Sequence, residues 1–208
     1  MKNGKNIALV SDAGTPAISD PGEDLVRLCA QNGVEVVPIP GAVAGINALI
    51  ASGLSTGRFT FEGFLTVNKR GRNDMLNELK NETRTMIFYE APHKLTSTIS
   101  DMLRVFGDRR IALCRELTKV HEEILRTTLK GAQKLYSQTS PRGEYVLVVE
   151  GKSPEEVKEE EINSWLRLTP EEHIKIYMKK GLSEKEAMRA AAHDRGVSRR
   201  ELYNELKR

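Results

Sequence analysis

The segment Leu9-Val10-Ser11-Asp12-Ala13-Gly14-Thr15-Pro16 decides how the first half of this chain is interpreted. It contains the end of the short apolar run 7–10, which predicts a strand, and it precedes a helix that we expect Asp20 to cap, with Pro21 in the first position. Open α/β sheets bind ligands at the carboxyl ends of strands, and small residues there let backbone amides approach a ligand closely. A tight strand-to-helix turn explains the segment equally well, because it is neither a G-x-G-x-x-G fingerprint nor a Walker loop.

Strand and helix signals continue to alternate as far as about residue 150, which predicts a mostly parallel sheet covered by helices. The run 34–39 predicts a second strand, and 42–52 predicts a helix of small residues. We expect the later strands at 59–64, 84–89, 110–116, 122–129 and 143–150, and the later helices at 73–79, 93–106 and 132–136. Because the last elements are close together, the second half is expected to be a mixed sheet.

The composition of the chain changes at Ser153. The run 154–161 carries five glutamates and predicts an acidic linker or the start of a helix. Beyond it, three hydroxyl residues each precede a glutamate by three positions, the pattern of a capping box: Thr169, Ser183 and Ser198. We therefore expect three short helices in the tail.

The last two of these helices resemble a helix-turn-helix, joined by a turn at Gly196. From residue 162 onward the tail has eleven Lys and Arg against seven Asp and Glu, a basic excess of four. This favours RNA contact through Arg199 and Arg200, whereas a stabilising helical cap or a dimerisation element is the alternative.

The composition is that of a globular protein with a real core, at 39% apolar and 29% charged residues. No run of eighteen apolar residues occurs, so we expect neither a transmembrane helix nor a secretory signal peptide, and a cytoplasmic location. The only cysteines, Cys29 and Cys114, are expected to be buried thiols. They and the four scattered histidines lack metal-ligand spacing, so no metal site is expected.

A resemblance to known proteins rests on several longer motifs. The opening segment extended to Gly22, together with Pro38-Ile39-Pro40-Gly41-Ala42, resembles the tetrapyrrole-methylase superfamily. Three further motifs are similar to its ribosomal RNA small-subunit methyltransferase I group: Tyr89-Glu90-Ala91-Pro92-His93-Lys94, Arg115-Glu116-Leu117-Thr118-Lys119 and Gly143-Glu144-Tyr145-Val146. That group methylates a cytidine 2′-oxygen of 16S ribosomal RNA. The match runs from about Lys5 through Gly151 and resumes in the tail.

The resemblance implies an α/β, two-subdomain tetrapyrrole-methylase-like fold with a small all-helical C-terminal segment. The expected divisions are 1–57 for the first subdomain, 58–152 for the second and 153–208 for the linker and helical tail. Members of the group begin with a strand and loop of the form Pro-Thr-Pro-Ile-Gly-Asn-Leu, and this chain starts only a few residues before the strand that precedes Ser11. We therefore expect a truncated first subdomain. The resemblance also implies a homodimer that acts on 16S ribosomal RNA or on the small ribosomal subunit.

The resemblance further implies an S-adenosyl-L-methionine site between the two subdomains. The residues that match the segments expected to line it are Asp12, Gly14, Thr15, Pro16, Pro40, Gly41, Ala42, Phe88, Tyr89, Gly143 and Glu144. Thr15 stands where many tetrapyrrole enzymes carry Asp.

Methyl transfer from a sulfonium to a ribose 2′-hydroxyl requires an in-line nucleophile and an acceptor for its proton. The candidate catalytic residues are Glu90, at the end of a strand, and His93, which equally well merely starts a helix; His121 and Glu122 are further candidate bases. Cations that could hold RNA, or could simply be solvated, are Arg70, Arg72, Lys94, Arg115, Lys119, Arg199 and Arg200.

Two alternatives to an rRNA 2′-O-methyltransferase remain open. A tetrapyrrole C-methyltransferase would share the fold and the methyl donor, but it has no need of a basic helical tail. A non-catalytic RNA-binding fragment would bind RNA without affinity for S-adenosyl-L-methionine.

Overall fold

The computed structural model describes residues 4–207. The chain divides into two compact units, Met1–Gly151 and Lys152–Arg208.

A five-stranded mixed sheet forms the centre of the first unit, as the spacing of the later elements predicts. Its strands are β1 (Phe59–Phe64), β2 (Thr85–Glu90), β3 (Arg110–Arg115), β4 (Glu123–Thr128) and β5 (Tyr145–Val149), in the order β1-β2-β5-β3-β4. Among the described strands, only β1 and β2 pair in parallel, and the other three pairs are antiparallel, so the prediction of a mostly parallel sheet is wrong. Residues 116–122, which join β3 to β4, contain no helix, and strands joined by so short a connection can pair only in antiparallel fashion. Because Tyr145 pairs with both Glu90 and Arg115, the carboxyl ends of β2 and β3 lie at the same edge of the sheet as the amino end of β5.

Helices cover both faces of this sheet. Helix α2 (Ala44–Ser52) covers one face, and α3 (Lys69–Glu78), α4 (Pro92–Phe106) and α5 (Leu129–Tyr136) cover the other. Helix α1 (Glu23–Gln31) precedes them in the chain. Residues alternate between the faces, so Phe88 packs with α3, α4 and α5, whereas the preceding Ile87 packs with α2. Strand β5 is apolar and buried throughout because it is central and covered on both sides.

The predicted strands at 7–10 and 34–39 are wrong. Both segments are irregular, and apolar side chains such as Val10 and Ile39 are 81% and 78% exposed. A strand needs a hydrogen-bonded neighbour, and no other segment within residues 4–207 pairs with either run. An apolar run is thus necessary for a buried strand but does not supply its partner.

Several predicted helix starts also need correction. Helix α1 begins at Glu23 rather than at Pro21, because Gly22 (φ 136°) is its N-cap and provides no side chain to cap it. Helix α3 begins at Lys69 rather than at residue 73, because the Asn68 side chain accepts hydrogen bonds from the backbone N–H groups of Arg70 and Gly71 at 2.9 and 3.2 Å. The basic run at 69–72 therefore belongs to this helix.

The second unit contains four helices within the described residues, one more than predicted: α6 (Pro154–Leu166), α7 (Pro170–Lys179), α8 (Glu184–Asp194) and α9 (Arg199–Glu205). A capping box starts each of them, and the one at Ser153 and Glu156 turns the acidic run into a helix. Ile174, Ala191 and Leu202 belong to a small core of their own. None of the helices between residues 4 and 207 combines the length and apolar character that a bilayer crossing requires.

Candidate functional site

The edge of the sheet formed by the carboxyl end of β2 carries an aromatic cluster around Tyr89. The Tyr89 hydroxyl accepts a hydrogen bond from the backbone N–H of Gly45 at 3.1 Å. The rings of Phe61 and Phe64 pack edge-on against the Tyr89 ring, with centroids 5.1 and 5.6 Å from its centroid. Burial raises the pKa of Tyr89 further above its ordinary value, which already leaves the hydroxyl protonated at neutral pH. This contact fixes the first turn of α2 against the predicted cofactor residue Tyr89.

Gly45 packs directly against this cluster. A Cβ atom there would meet the side chain of Ile87 at 3.4 Å, and the Phe61 ring and the Tyr89 hydroxyl at 3.5 Å. These are ordinary contact distances, so the first turn of α2 and the aromatic cluster are already packed together at Gly45.

Two of the predicted cofactor segments contact each other. The backbone N–H and the hydroxyl of Thr15 both donate to the carbonyl oxygen of Ala42, at 3.0 and 3.3 Å. Gly14 has φ 74°, and a Cβ atom there would lie 3.0 Å from the same oxygen. The predicted loop 14–16 therefore packs on the predicted turn 40–42, two residues before α2 begins at Ala44.

Backbone strain marks the rest of this loop. Ala17 and Ser19 have φ values of 67° and 59°, a left-handed conformation that costs a non-glycine residue roughly 1–2 kcal/mol. Such strain persists where surrounding structure enforces it and is common at ligand sites. Asp12, Pro40 and Gly41 are exposed in the same region.

Glu90, a predicted catalytic residue, is only 3% exposed. The Thr98 hydroxyl donates to its Oε2 at 2.6 Å, and the Ala91 backbone N–H donates to its Oε1 at 2.9 Å. The two carboxylate oxygens of Glu90 thus bind the N-cap residue and the second turn of α4. Phe88 is fully buried in the main core, whereas His93 is exposed in the first turn of α4.

Glu116 is a residue of this edge that the sequence reasoning did not select. Its Oε1 accepts from the backbone N–H of Glu144 at 2.7 Å and from the Lys119 ammonium at 3.2 Å, and Lys119 also binds Glu144 Oε2 at 2.9 Å. Gly143 has φ 75°, and a Cβ atom there would lie 2.5 Å from Glu116 Cγ. Three residues that the sequence predicted for the site, Gly143, Glu144 and Lys119, therefore belong to one network, and Glu116 lies at its centre.

The electrostatics agree with this network. The backbone N–H of Glu144 and then the ammonium of Lys119 lower the pKa of Glu116. The carboxylates of Glu144 and Glu116 raise the pKa of Lys119, and Glu144 has the larger effect. The signal that would have found Glu116 is its place inside the motif 115–119, but its φ of 49° is not readable from residue type.

The predicted RNA-binding cations of the first unit differ in accessibility. Arg72 is 9% exposed, and its Nε donates to Asp101 Oδ2 at 2.8 Å, so its guanidinium holds α3 to α4. Arg70 is exposed, Lys94 is half-buried, and Arg115 pairs with Glu123 at 3.2 Å. Burial alone would raise the pKa of Asp101, but the hydrogen bonds and charges of Arg72 and Arg104 outweigh it and lower that pKa.

In the second unit, Arg199 and Arg200 are exposed in the first turn of α9. Together with Met188 and Tyr203 they line an open groove. No three or more His, Cys, Asp or Glu side chains within residues 4–207 are grouped as metal ligands would be.

Comparison with known proteins explains why these motifs occur together. The family model described as tetrapyrrole (corrin/porphyrin) methylases matches residues 1–133. The chain is 49% identical over 201 residues to "Ribosomal RNA small subunit methyltransferase I" of Halalkalibacterium halodurans. This alignment covers 97% of this chain and 69% of that relative. It is 50% identical over 204 residues to the Bacillus subtilis protein of the same name, covering 98% of this chain and 70% of the relative.

The chain belongs to the ribosomal RNA small subunit methyltransferase I group of the tetrapyrrole methylases. A solved structure of another methylase, "the methyltransferase CobJ", matches with a TM-score of 0.54 at 22% identity, over 72% of this chain and 66% of that one. This likeness shows the fold alone. The methylase family and the α/β methylase-like fold that the sequence predicts are therefore confirmed, whereas the subdomain division at residue 57 and the individual site residues stay predictions.

Proposed function

We propose that this chain transfers a methyl group from S-adenosyl-L-methionine to the ribose 2′-hydroxyl of a cytidine in 16S ribosomal RNA. The observation that carries the proposal is the identity of 49–50% to rRNA small subunit methyltransferases I over 97–98% of the chain, which includes the helical tail. A tetrapyrrole substrate has no comparable support, because the likeness to CobJ at 22% identity concerns the fold alone.

The cluster around Tyr89 fits the methyl donor chemically. Phe61 and Phe64 are 41% and 54% exposed and offer aromatic surface for an adenine ring or a sulfonium cation. The backbone N–H of Gly45 lies 3.1 Å from the Tyr89 hydroxyl, and Ser19 of the strained loop 14–19 lies near Gly63, on the strand that carries Phe61 and Phe64. When bound, S-adenosyl-L-methionine supplies an electrophilic methyl carbon on a positively charged sulfur.

The residues of the chain would act mainly by orientation. Thr15, Ala42 and Tyr89 would hold the donor, and the network of Glu116, Lys119 and Glu144 would fix the neighbouring turn. The hydrogen bonds of Glu90 to Thr98 and Ala91 favour a positioning role for Glu90 over proton transfer. His93 is exposed at the same helix start and is a candidate to accept the 2′-hydroxyl proton, as are the exposed His121 and Glu122.

The tail supports an RNA substrate. Helices α6, α7 and α8 each carry two glutamates in the first turn, as the helix dipole favours, whereas the first turn of α9 carries Arg199 and Arg200 with one glutamate, Glu201. Cations at this end cost a helix a few tenths of a kcal/mol, so their placement suits a function outside the helix. Arg70, Lys94, Arg115 and Lys119 are the further proposed phosphate contacts in the first unit.

We also propose that the protein acts in the cytoplasm as a homodimer on the small ribosomal subunit. This follows from the family resemblance.

The proposal is tested with the purified 208-residue chain in two measurements. Calorimetric titration with S-adenosyl-L-methionine should give saturable binding in the micromolar range. Transfer of a radioactive methyl group should then label 16S ribosomal RNA but not a tetrapyrrole, and nuclease digestion should recover the label as 2′-O-methylcytidine. Label on a base, or on tetrapyrrole only, would overturn the assignment. RNA binding by a folded chain with no affinity for the donor would identify it as a non-catalytic RNA-binding fragment.

A further inference from the structure

The groove of the second unit combines an exposed aromatic ring with cations. Tyr203 is 45% exposed, and the Lys207 ammonium lies over its ring, 4.7 Å from the centroid. Arg199, Arg200 and the Met188 side chain line the groove beside the ring. Within residues 4–207, neither arginine forms an ion pair with an acidic side chain.

The surroundings of Tyr203 differ from those of Tyr177, the other tyrosine in this unit. Tyr177 donates its hydroxyl to Asp194 and packs beside the His173 ring at 5.5 Å, inside the unit. Tyr203 has no such internal partner among the described residues other than Lys207. The Tyr203 ring is therefore part of the exposed surface, with the Lys207 ammonium over one face, and is not part of the core of this unit.

The geometry of RNA limits what such a helix pair can contact. A recognition helix reads DNA by entering the major groove, but the major groove of an A-form RNA duplex is too deep and narrow for side chains to read. Unpaired bases, in contrast, stack on aromatic rings and on guanidinium planes, while cations hold the backbone.

We propose that this groove binds an unpaired nucleotide of the RNA, with the base stacked on Tyr203 and the adjacent phosphates held by Arg199 and Arg200. Met188 supplies the apolar wall against the base. The inference rests on the proposed RNA substrate and adds to it that the tail selects single-stranded over paired RNA.

The test uses fluorescence anisotropy of the full chain with two labelled RNAs of equal length and composition, one a perfect duplex and one a hairpin with an unpaired loop. Tyr203→Ala should weaken binding to the hairpin about tenfold, the range of one lost stacking contact, and leave duplex binding unchanged. Tyr203→Phe should retain the hairpin affinity because the ring remains. The matched control is Met178→Ala, which removes a side chain of the same 45% exposure from α7, outside the groove.

The cations have their own matched control. Arg199→Ala with Arg200→Ala should weaken binding to both RNAs and make it less dependent on salt. Lys175→Ala with Lys179→Ala removes the same charge from α7 and should have a smaller effect on the hairpin. Circular dichroism checks that each variant is folded.

The outcomes separate this inference from the proposed function. Equal losses for Tyr203→Ala and Met178→Ala, or equal losses on the two RNAs, would overturn the stacking inference while the RNA substrate stands. If the unaltered chain binds neither RNA, the RNA substrate and the stacking inference both fall.

Discussion

The contact between Glu90 and Thr98 gives a direct test of whether Glu90 positions α4 or takes part in proton transfer. Thr98→Val keeps the shape of a side chain that is 1% exposed and removes the hydroxyl that donates to Glu90 Oε2 at 2.6 Å. A hydrogen bond to a charged group contributes about 1.5–3 kcal/mol, and the buried oxygen would find no water in its place. We expect the free energy of unfolding to fall by about 2 kcal/mol.

The assay is urea denaturation followed by circular dichroism, with methyl transfer measured on the same variants. A changed midpoint with an unchanged slope indicates lost stability rather than an altered unfolded state. Glu90→Gln should lower the free energy of unfolding less than Thr98→Val does, because the carbonyl oxygen of the glutamine side chain can still accept one of the two hydrogen bonds. If Glu90 is a positioning residue, both variants stay folded without urea and lower the rate of methyl transfer to a similar, modest extent, and the pH profile of the rate keeps its shape.

The refuting result is equally specific. A Glu90→Gln variant that is as stable as the original chain but loses methyl transfer a hundredfold or more would make Glu90 a catalytic acid or base. A Thr98→Val variant with unchanged stability would show that the buried hydrogen bond contributes nothing to the fold.

Three further predictions follow from the structure. Arg72→Met should lower the free energy of unfolding of the first unit by about 3 kcal/mol in urea denaturation, because it leaves buried Asp101 with Arg104 alone. Folding lowers the pKa of Asp101, so the Arg72–Asp101 pair stabilises the fold above the ordinary carboxyl pKa. The difference in stability between Arg72→Met and the original chain should therefore shrink as the pH falls below that pKa. Gly143→Ala, which would place Cβ 2.5 Å from Glu116 Cγ at φ 75°, should weaken calorimetric binding of S-adenosyl-L-methionine, whereas Gly57→Ala, with nothing within 4 Å, should not. Burial and then the charge of Arg195 lower the pKa of His173, so the second unit should lose helicity as the pH falls below about 6.5, the ordinary pKa of an imidazole, and that side chain is protonated. His173→Phe should remove this pH dependence.

The sequence predicts those elements whose causes are local. Strands β2 and β5 are short apolar runs ended by turn residues, and their observed bounds lie within one or two residues of the predicted ones. Each tail helix begins at a hydroxyl three residues before a glutamate, and both partners of that contact are visible in the sequence. The fourth tail helix, α6, obeys the same rule at Ser153, but its glutamate run also fits a solvated linker.

The sequence fails where the cause is a partner far along the chain. The runs 7–10 and 34–39 have the composition of buried strands, yet a strand exists only when another strand accepts its backbone hydrogen bonds. The same limit applies to Arg72, whose partner Asp101 is 29 residues away, so that a buried structural arginine looks like one more cation of a basic run. Charge runs therefore give reliable candidates for RNA contact only after burial has been considered.

Glu116 shows why the candidate site was only partly predictable. The motifs around Tyr89, Arg115 and Gly143 mark which segments matter, and the structure brings their ends to one edge of the sheet. The residue that joins two of these segments is a glutamate in a left-handed conformation, bound to a backbone N–H 28 residues away. Neither the conformation nor the distant donor is encoded in residue type, whereas the glycine that must accommodate the glutamate, Gly143, is visible. A glycine just before a buried strand should therefore prompt a search for a side chain that occupies the place of its missing Cβ.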